Sequence, residues 1–200
     1  MLTTLVGALL TGGLCAGSQG DSLERLYDRG KSFAEFLTTV KSRRETWTGN
    51  YSASVVPAEL LARARALRGR WRLLVVAEDW CGDSANTIPY LASLVDSAGT
   101  LELKIVDSRA GKFLMERHRT PDGRAATPTV VLLDSHGAEA GCFIERPAAL
   151  RAWLESHKAT LTESELQKGR DAWRREDGGR ATLEEFVELL EAAARGAPRC

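Results

Sequence analysis

The 200 residues, 44% hydrophobic and 27% charged, suffice for one domain with a buried core and carry no signature of disorder. Lysine plus arginine equal aspartate plus glutamate at 27 each, so no electrostatic ground exists for nucleic acid or an anionic membrane as partner. The four cysteines (Cys15, Cys81, Cys142, Cys200) form no C-x-x-C pair, and His118, His136 and His157 are equally scattered. That dispersal argues against a zinc or other metal site and against a disulfide framework, and no cofactor is expected.

Residues 2–14 are apolar with Thr and Gly interruptions, too short to cross a membrane. Ala16, Gly17 and Ser18 then supply the small residues of a signal-peptide cleavage site. No Lys or Arg precedes Arg25, and Leu14 stands where a lipoprotein signal needs a small residue before Cys15. Two readings remain: a leader over residues 1–20 of an exported (periplasmic or extracellular) protein, or an ordinary tail on a cytoplasmic one. Export is preferred, because an apolar leader on a soluble domain has nothing to bury against.

Ser32 opens a helical pattern through Phe33, Phe36, Leu37, Val40 and Trp47, ended by Gly49-Asn50. Pro57 opens a second helix, closed by Gly69. Trp71 to Ala77 is a nearly continuous apolar run, the pattern of a strand buried on both faces. Glu78-Asp79-Trp80-Cys81 follow it, then a helix through Leu91, Leu94 and Val95. Further strands are expected at 101–106, 129–133 and 140–145, the last two joined as a hairpin by the turn Asp134 to Gly137. A short helix falls around Phe113 to Arg117, and another opens at Pro147. Two final helices start with capping boxes, Thr162 with Glu165 and Thr182 with Glu185. Two strand-helix units followed by a hairpin imply an α/β fold: a mixed sheet with helices on both faces. The expected division is a helical extension over 21–70, a core over 71–160, a helical pair over 161–195 packed on it, and a loose tail at 196–200.

Cys81 stands where a buried strand hands over to a helix, the place where reactive groups collect in open α/β sheets. The positive end of a helix favours the thiolate, whereas Glu78, Asp79 and Asp83 oppose it. Trp80 is placed to wall one side and keep the site partly dry. Ser84 has two readings, a helix N-cap or a hydrogen bond to Cys81, and Asp83 too is a candidate cap. Thr127-Pro128 precedes the third strand; a cis bond there would leave the Thr127 backbone free to pair with an extended substrate. Cys142 reads as a small core hydrophobe, with a resolving role for it the lesser reading, and Cys200 as an exposed thiol on the tail. Glu176 to Phe186 echoes the back half of a calcium loop, but Arg174 would take the first ligand position and repel the ion.

The run Glu78 to Ser84, with Pro89 in the next helix and Thr127-Pro128 before the hairpin, resembles the thioredoxin superfamily over roughly residues 21–195. Within it, E-D-W-C-G-D-S is similar to a bacterial branch with extra N- and C-terminal helices. The resemblance implies a thioredoxin-like fold, Cys81 as nucleophile, Pro89 as the kink of the active-site helix and Pro128 as the cis-proline that helps hold substrate. Three positions depart from the family. Ser84 replaces the resolving cysteine, Asp83 replaces a proline, and Val75 stands where a buried acid assists proton transfer. What the resemblance leaves open is one-thiol exchange, with a disulfide-bearing protein or a low-molecular-weight thiol as partner and an outside thiol resolving the product. Cys81 and Ser84 are then the catalytic pair, and Trp80, Gly82, Asp83, Thr127 and Pro128 the substrate groove. The alternative is a redox-inactive module that binds a protein partner beside Pro128. Peroxide reduction at Cys81 is the weakest reading, because no arginine and threonine are placed by sequence to activate it.

Overall fold

The computed structural model describes residues 17–200, so the leader expected over residues 1–20 falls outside the described residues except where it meets the first helix. Four strands, β1 (Trp71–Val76), β2 (Leu101–Val106), β3 (Thr129–Leu133) and β4 (Glu139–Ile144), form one sheet in the order β2-β1-β3-β4. β1 runs parallel to β2 and antiparallel to β3, and β3 pairs antiparallel with β4. This is the mixed sheet with a terminal hairpin that the strand order implied. β1 and β3 alternate between two apolar layers, which is why they read as unbroken hydrophobic runs.

On one face, Leu73, Val75, Val130 and Leu132 pack with α2 (Phe33–Thr39), α3 (Arg44–Ala53), α4 (Ala58–Ala66), α6 (Ile88–Ala98) and α10 (Arg180–Ala194). On the other, Leu74, Val76, Val131 and Leu133 meet Leu23 and Tyr27 of α1 (Gly17–Arg29) and Leu114 of α7 (Lys112–Arg117). In α10, Leu183, Phe186, Val187 and Leu190 recur at three- and four-residue steps and are buried to 1% exposure or less. Each such burial contributes about 1.5–3 kcal/mol of transfer free energy. α10 is therefore part of the main core. α9 (Glu163–Asp177) buries no residue and lies against α8 (Ala148–His157), where the Trp153 ring leaves no room for a side chain at Gly169.

Four expectations are corrected. The helix expected from Ser32 to Asn50 is two helices, and the second runs on past Gly49-Asn50 to Ala53. Between them the backbone N–H groups of Lys41 and Ser42 donate to Asp79 Oδ2 at 2.8 and 3.0 Å, which takes both donors out of any helical ladder. The active-site helix is likewise divided into α5 (Gly82–Ala85) and α6, with Pro89 in the first turn of α6. The capping box at Thr162 and Glu165 forms, but that at Thr182 and Glu185 does not. α10 starts earlier, from Gly179; Thr182 is buried, and Glu185 instead accepts from the Ala148 N–H at 2.6 Å.

The fourth correction is the C-terminal segment. Cys200 is neither a free thiol nor on a loose tail, because it forms a disulfide with Cys142, 58 residues away. Arg199 adds an isolated bridge to Gly141 on the outer edge of β4, with the Cys142 N–H donating to the Arg199 carbonyl at 2.9 Å. A side chain at Gly141 would collide with that carbonyl and with Leu189. The opposite edge of the sheet carries a matching bridge, Lys31 to Ile105 on β2.

Candidate active site around Cys81

β1 delivers the chain to the site and Cys81 caps α5 with its own sulfur. The Ser84 N–H donates to Cys81 Sγ at 3.4 Å, and the Cys81 S–H donates to the Thr127 carbonyl at 3.2 Å. Among the described residues Cys81 is the free cysteine, and it is half-buried. The Thr127–Pro128 peptide bond is cis. Beyond it the Pro128 carbonyl accepts from the Glu145 N–H at 2.7 Å, and Thr129 Oγ1 donates to the Ala126 carbonyl at 2.8 Å. These bonds fix the segment against which the sulfur rests.

All three acids around the thiol are engaged. Glu78 accepts from the Ser108 N–H at 2.8 Å. Asp79 holds Lys41 and Ser42, and those backbone N–H bonds, Ser42 first, bring its carboxyl below the usual range against the opposing effect of burial. Asp83 is clamped by Arg146 at 2.9 Å and by Arg174 of α9, all three side chains being no more than 15% exposed. Arg146 also pairs with the buried Glu145 at 2.8 Å, and Arg124 reaches Glu145 at 3.2 Å. Burial presses the Arg174 guanidinium below its ordinary value, with the Asp83 carboxylate pulling the other way. The negative charge that the sequence sets against the thiolate is thus largely compensated in the fold.

Other residues take roles the sequence did not indicate. Trp80 is 61% exposed, and its carbonyl accepts from Arg43 Nε at 2.7 Å. Ser84 is not the N-cap of α5; its hydroxyl is fully buried without a hydrogen-bond partner, and only its backbone reaches Cys81. Asp83 is an ion-pair anchor. Val75 is fully buried in the apolar layer, so no acid lies beneath the site at that position. Trp47, also fully buried, donates from Nε1 to the Asp79 carbonyl at 3.0 Å and holds the turn before Cys81 from below. Arg43, Arg146 and Arg174 all come to the site from distant segments, which sequence spacing did not show. None bonds Cys81 Sγ: Arg43 serves the Trp80 carbonyl and the other two serve Asp83. Beside Gly82, a cleft of about 900 Å³ opens between Arg43, Asn50 and Tyr90 on one side and Arg170, Arg174 and Arg175 on the other.

A family model described as thioredoxin matches residues 30–161. The chain belongs to the thioredoxin family. Among solved structures, the chain is similar to a protein of unknown function from Pseudomonas aeruginosa. It is 24% identical at a TM-score of 0.69, over 85% of this chain and 97% of that one. An HIV epitope-scaffold is 23% identical at a TM-score of 0.66, over 84% and 97% of the two chains. Both likenesses concern the fold. No curated protein matches the chain. No helix among the described residues is long and apolar enough to cross a membrane.

Proposed function

We propose that this thioredoxin-family protein carries out thiol–disulfide exchange through Cys81 alone, in the manner of the bacterial W-C-G-D-S branch it resembles. The thiolate of Cys81 attacks one sulfur of a substrate disulfide, a mixed disulfide forms, and the other substrate sulfur leaves as a thiolate. Ser84 has no thiol with which to resolve that product, so an outside thiolate attacks the substrate sulfur of the mixed disulfide, forms a new disulfide with it and releases the Cys81 thiolate. The substrate is a disulfide-bearing protein or a low-molecular-weight disulfide. Its backbone lies along Thr127-Pro128, with Gly82 and the exposed Trp80 beside it. The observation that carries this reading is the half-buried Cys81 sulfur, held between the Ser84 N–H and the Thr127 carbonyl next to a cis-proline.

The test is the rate of exchange with a low-molecular-weight mixed disulfide. Cys81→Ser is expected to abolish it and Cys142→Ser to leave it in place. Equal activity in the two variants removes the proposal. The exposure of Trp80 favours a second reading, in which the groove binds a protein partner and Cys81 takes no part. Partner capture that survives Cys81→Ser but not Trp80→Ala, from a protein without exchange activity, would decide for it.

A further inference from the structure

We propose a metal site, distinct from Cys81, at the outer edge of the hairpin: His118, Cys142 and Cys200 bind a zinc-class ion when the disulfide is reduced. The three come from the end of α7, the middle of β4 and the C-terminal segment, and their ligand atoms lie within 4.8 Å of one another. His118 Nδ1 is 3.6 Å from Cys200 Sγ. Two ligands of one tetrahedral zinc, with Zn–N near 2.0 Å and Zn–S near 2.3 Å, stand about 3.5 Å apart. Thiolate and imidazole together select a borderline or soft ion over magnesium or calcium.

The surroundings of His118 support the assignment independently. The ring is more than nine-tenths buried, and its Nε2 lies 3.0 Å from Glu139 Oε1 without a well-aligned hydrogen bond to any neighbour. Arg117 holds the same carboxylate at 3.1 Å. A carboxylate 3.0 Å from Nε2 favours the proton on that nitrogen, which leaves the Nδ1 lone pair for an ion beside Cys200. That is how histidines bound to metal are commonly oriented. Glu139 is thus a positioning residue, and the remaining coordination position falls to solvent on the exposed Cys200 side.

The two states of the sulfurs exclude each other. Two molecules of a low-molecular-weight thiol open the disulfide: the Cys142–Cys200 bond breaks, their sulfurs join as a disulfide, and their two protons pass to the cysteines. The ion then displaces both protons to solvent and takes two thiolates and one imidazole.

The test uses the full chain carrying Cys15→Ser and Cys81→Ser, reduced with a phosphine and titrated with Co²⁺, then with Zn²⁺ in competition. One Co²⁺ per chain with thiolate-to-cobalt absorption is expected, and none in the disulfide form. Glu139→Gln should weaken binding about tenfold, and His118→Ala or Cys200→Ser should abolish the cobalt spectrum. Failure of the reduced chain to bind, or binding of unchanged affinity in Cys200→Ser, overturns the proposal. Cys200 is exposed and Glu139 lies at the sheet edge, so those two variants read the site even where His118→Ala does not fold.

Discussion

Arg174, 91 residues downstream, closes on the carboxylate of Asp83, two positions after the nucleophile candidate. α9 buries no apolar residue, so this ion pair is a principal tie between that helix and the centre of the protein. Arg174→Ala is expected to lower stability by at most about 3 kcal/mol, since Asp83 keeps Arg146. The less fully compensated charge of Asp83 should also slow alkylation of Cys81. Urea unfolding and a thiol-labelling time course check the two effects, and Asp83→Asn in the same background should restore the labelling rate.

Asp79 gives the fold an acid-sensitive joint. Its carboxyl is held below the ordinary value by the N–H groups of Ser42 and Lys41, so the carboxylate stabilises the native state above the unfolded value of about 3.9. That contribution is lost as pH falls through the lower, folded value. Asp79→Asn keeps an acceptor but no charge. The variant should be less stable than the parent at neutral pH, and the difference should shrink below about pH 4. Denaturant midpoints measured from pH 7 down to pH 3 check this.

The Cys142–Cys200 link closes a loop of 58 residues in sequence separation. In the chain-entropy picture a loop of this size is worth about 4 kcal/mol. Cys200→Ser should lose up to that amount under oxidising conditions and almost nothing in excess reductant, where the parent has opened the same bond. Thermal unfolding with and without reductant separates the two.

Ser84 presents its backbone to Cys81 Sγ at 3.4 Å and its side chain is fully buried. Ser84→Cys is expected to pair the introduced thiol with Cys81 on oxidation, turning one-thiol chemistry into two-thiol chemistry. Mass spectrometry after alkylation should show two fewer reactive thiols in the oxidised form, and a mixed disulfide on Cys81 should clear without any added thiol.

The sheet was legible in the sequence because β1 and β3 are covered on both faces and write that fact as unbroken apolar runs. Cys81 was legible because a strand-to-helix junction is visible as a change of period. The break between α2 and α3 was not, since it depends on Asp79, 37 and 38 residues away. The clamp on Asp83 and the gathering of His118, Cys142 and Cys200 were hidden for the same reason. Tertiary proximity leaves no mark in spacing, and arginines on a polar helix face look alike whether or not they find a buried partner.

The short bridges at Lys31 and Arg199 finish the sheet on its two sides. A four-stranded sheet offers a row of unused N–H and C=O groups along each outer strand, a template for stacking against another molecule. Here each row is interrupted by the chain's own backbone, and on the β4 side the interruption is tethered by a covalent bond. Severing that tether frees the rim of β4, so the reduced protein is the form that should self-associate as its concentration rises.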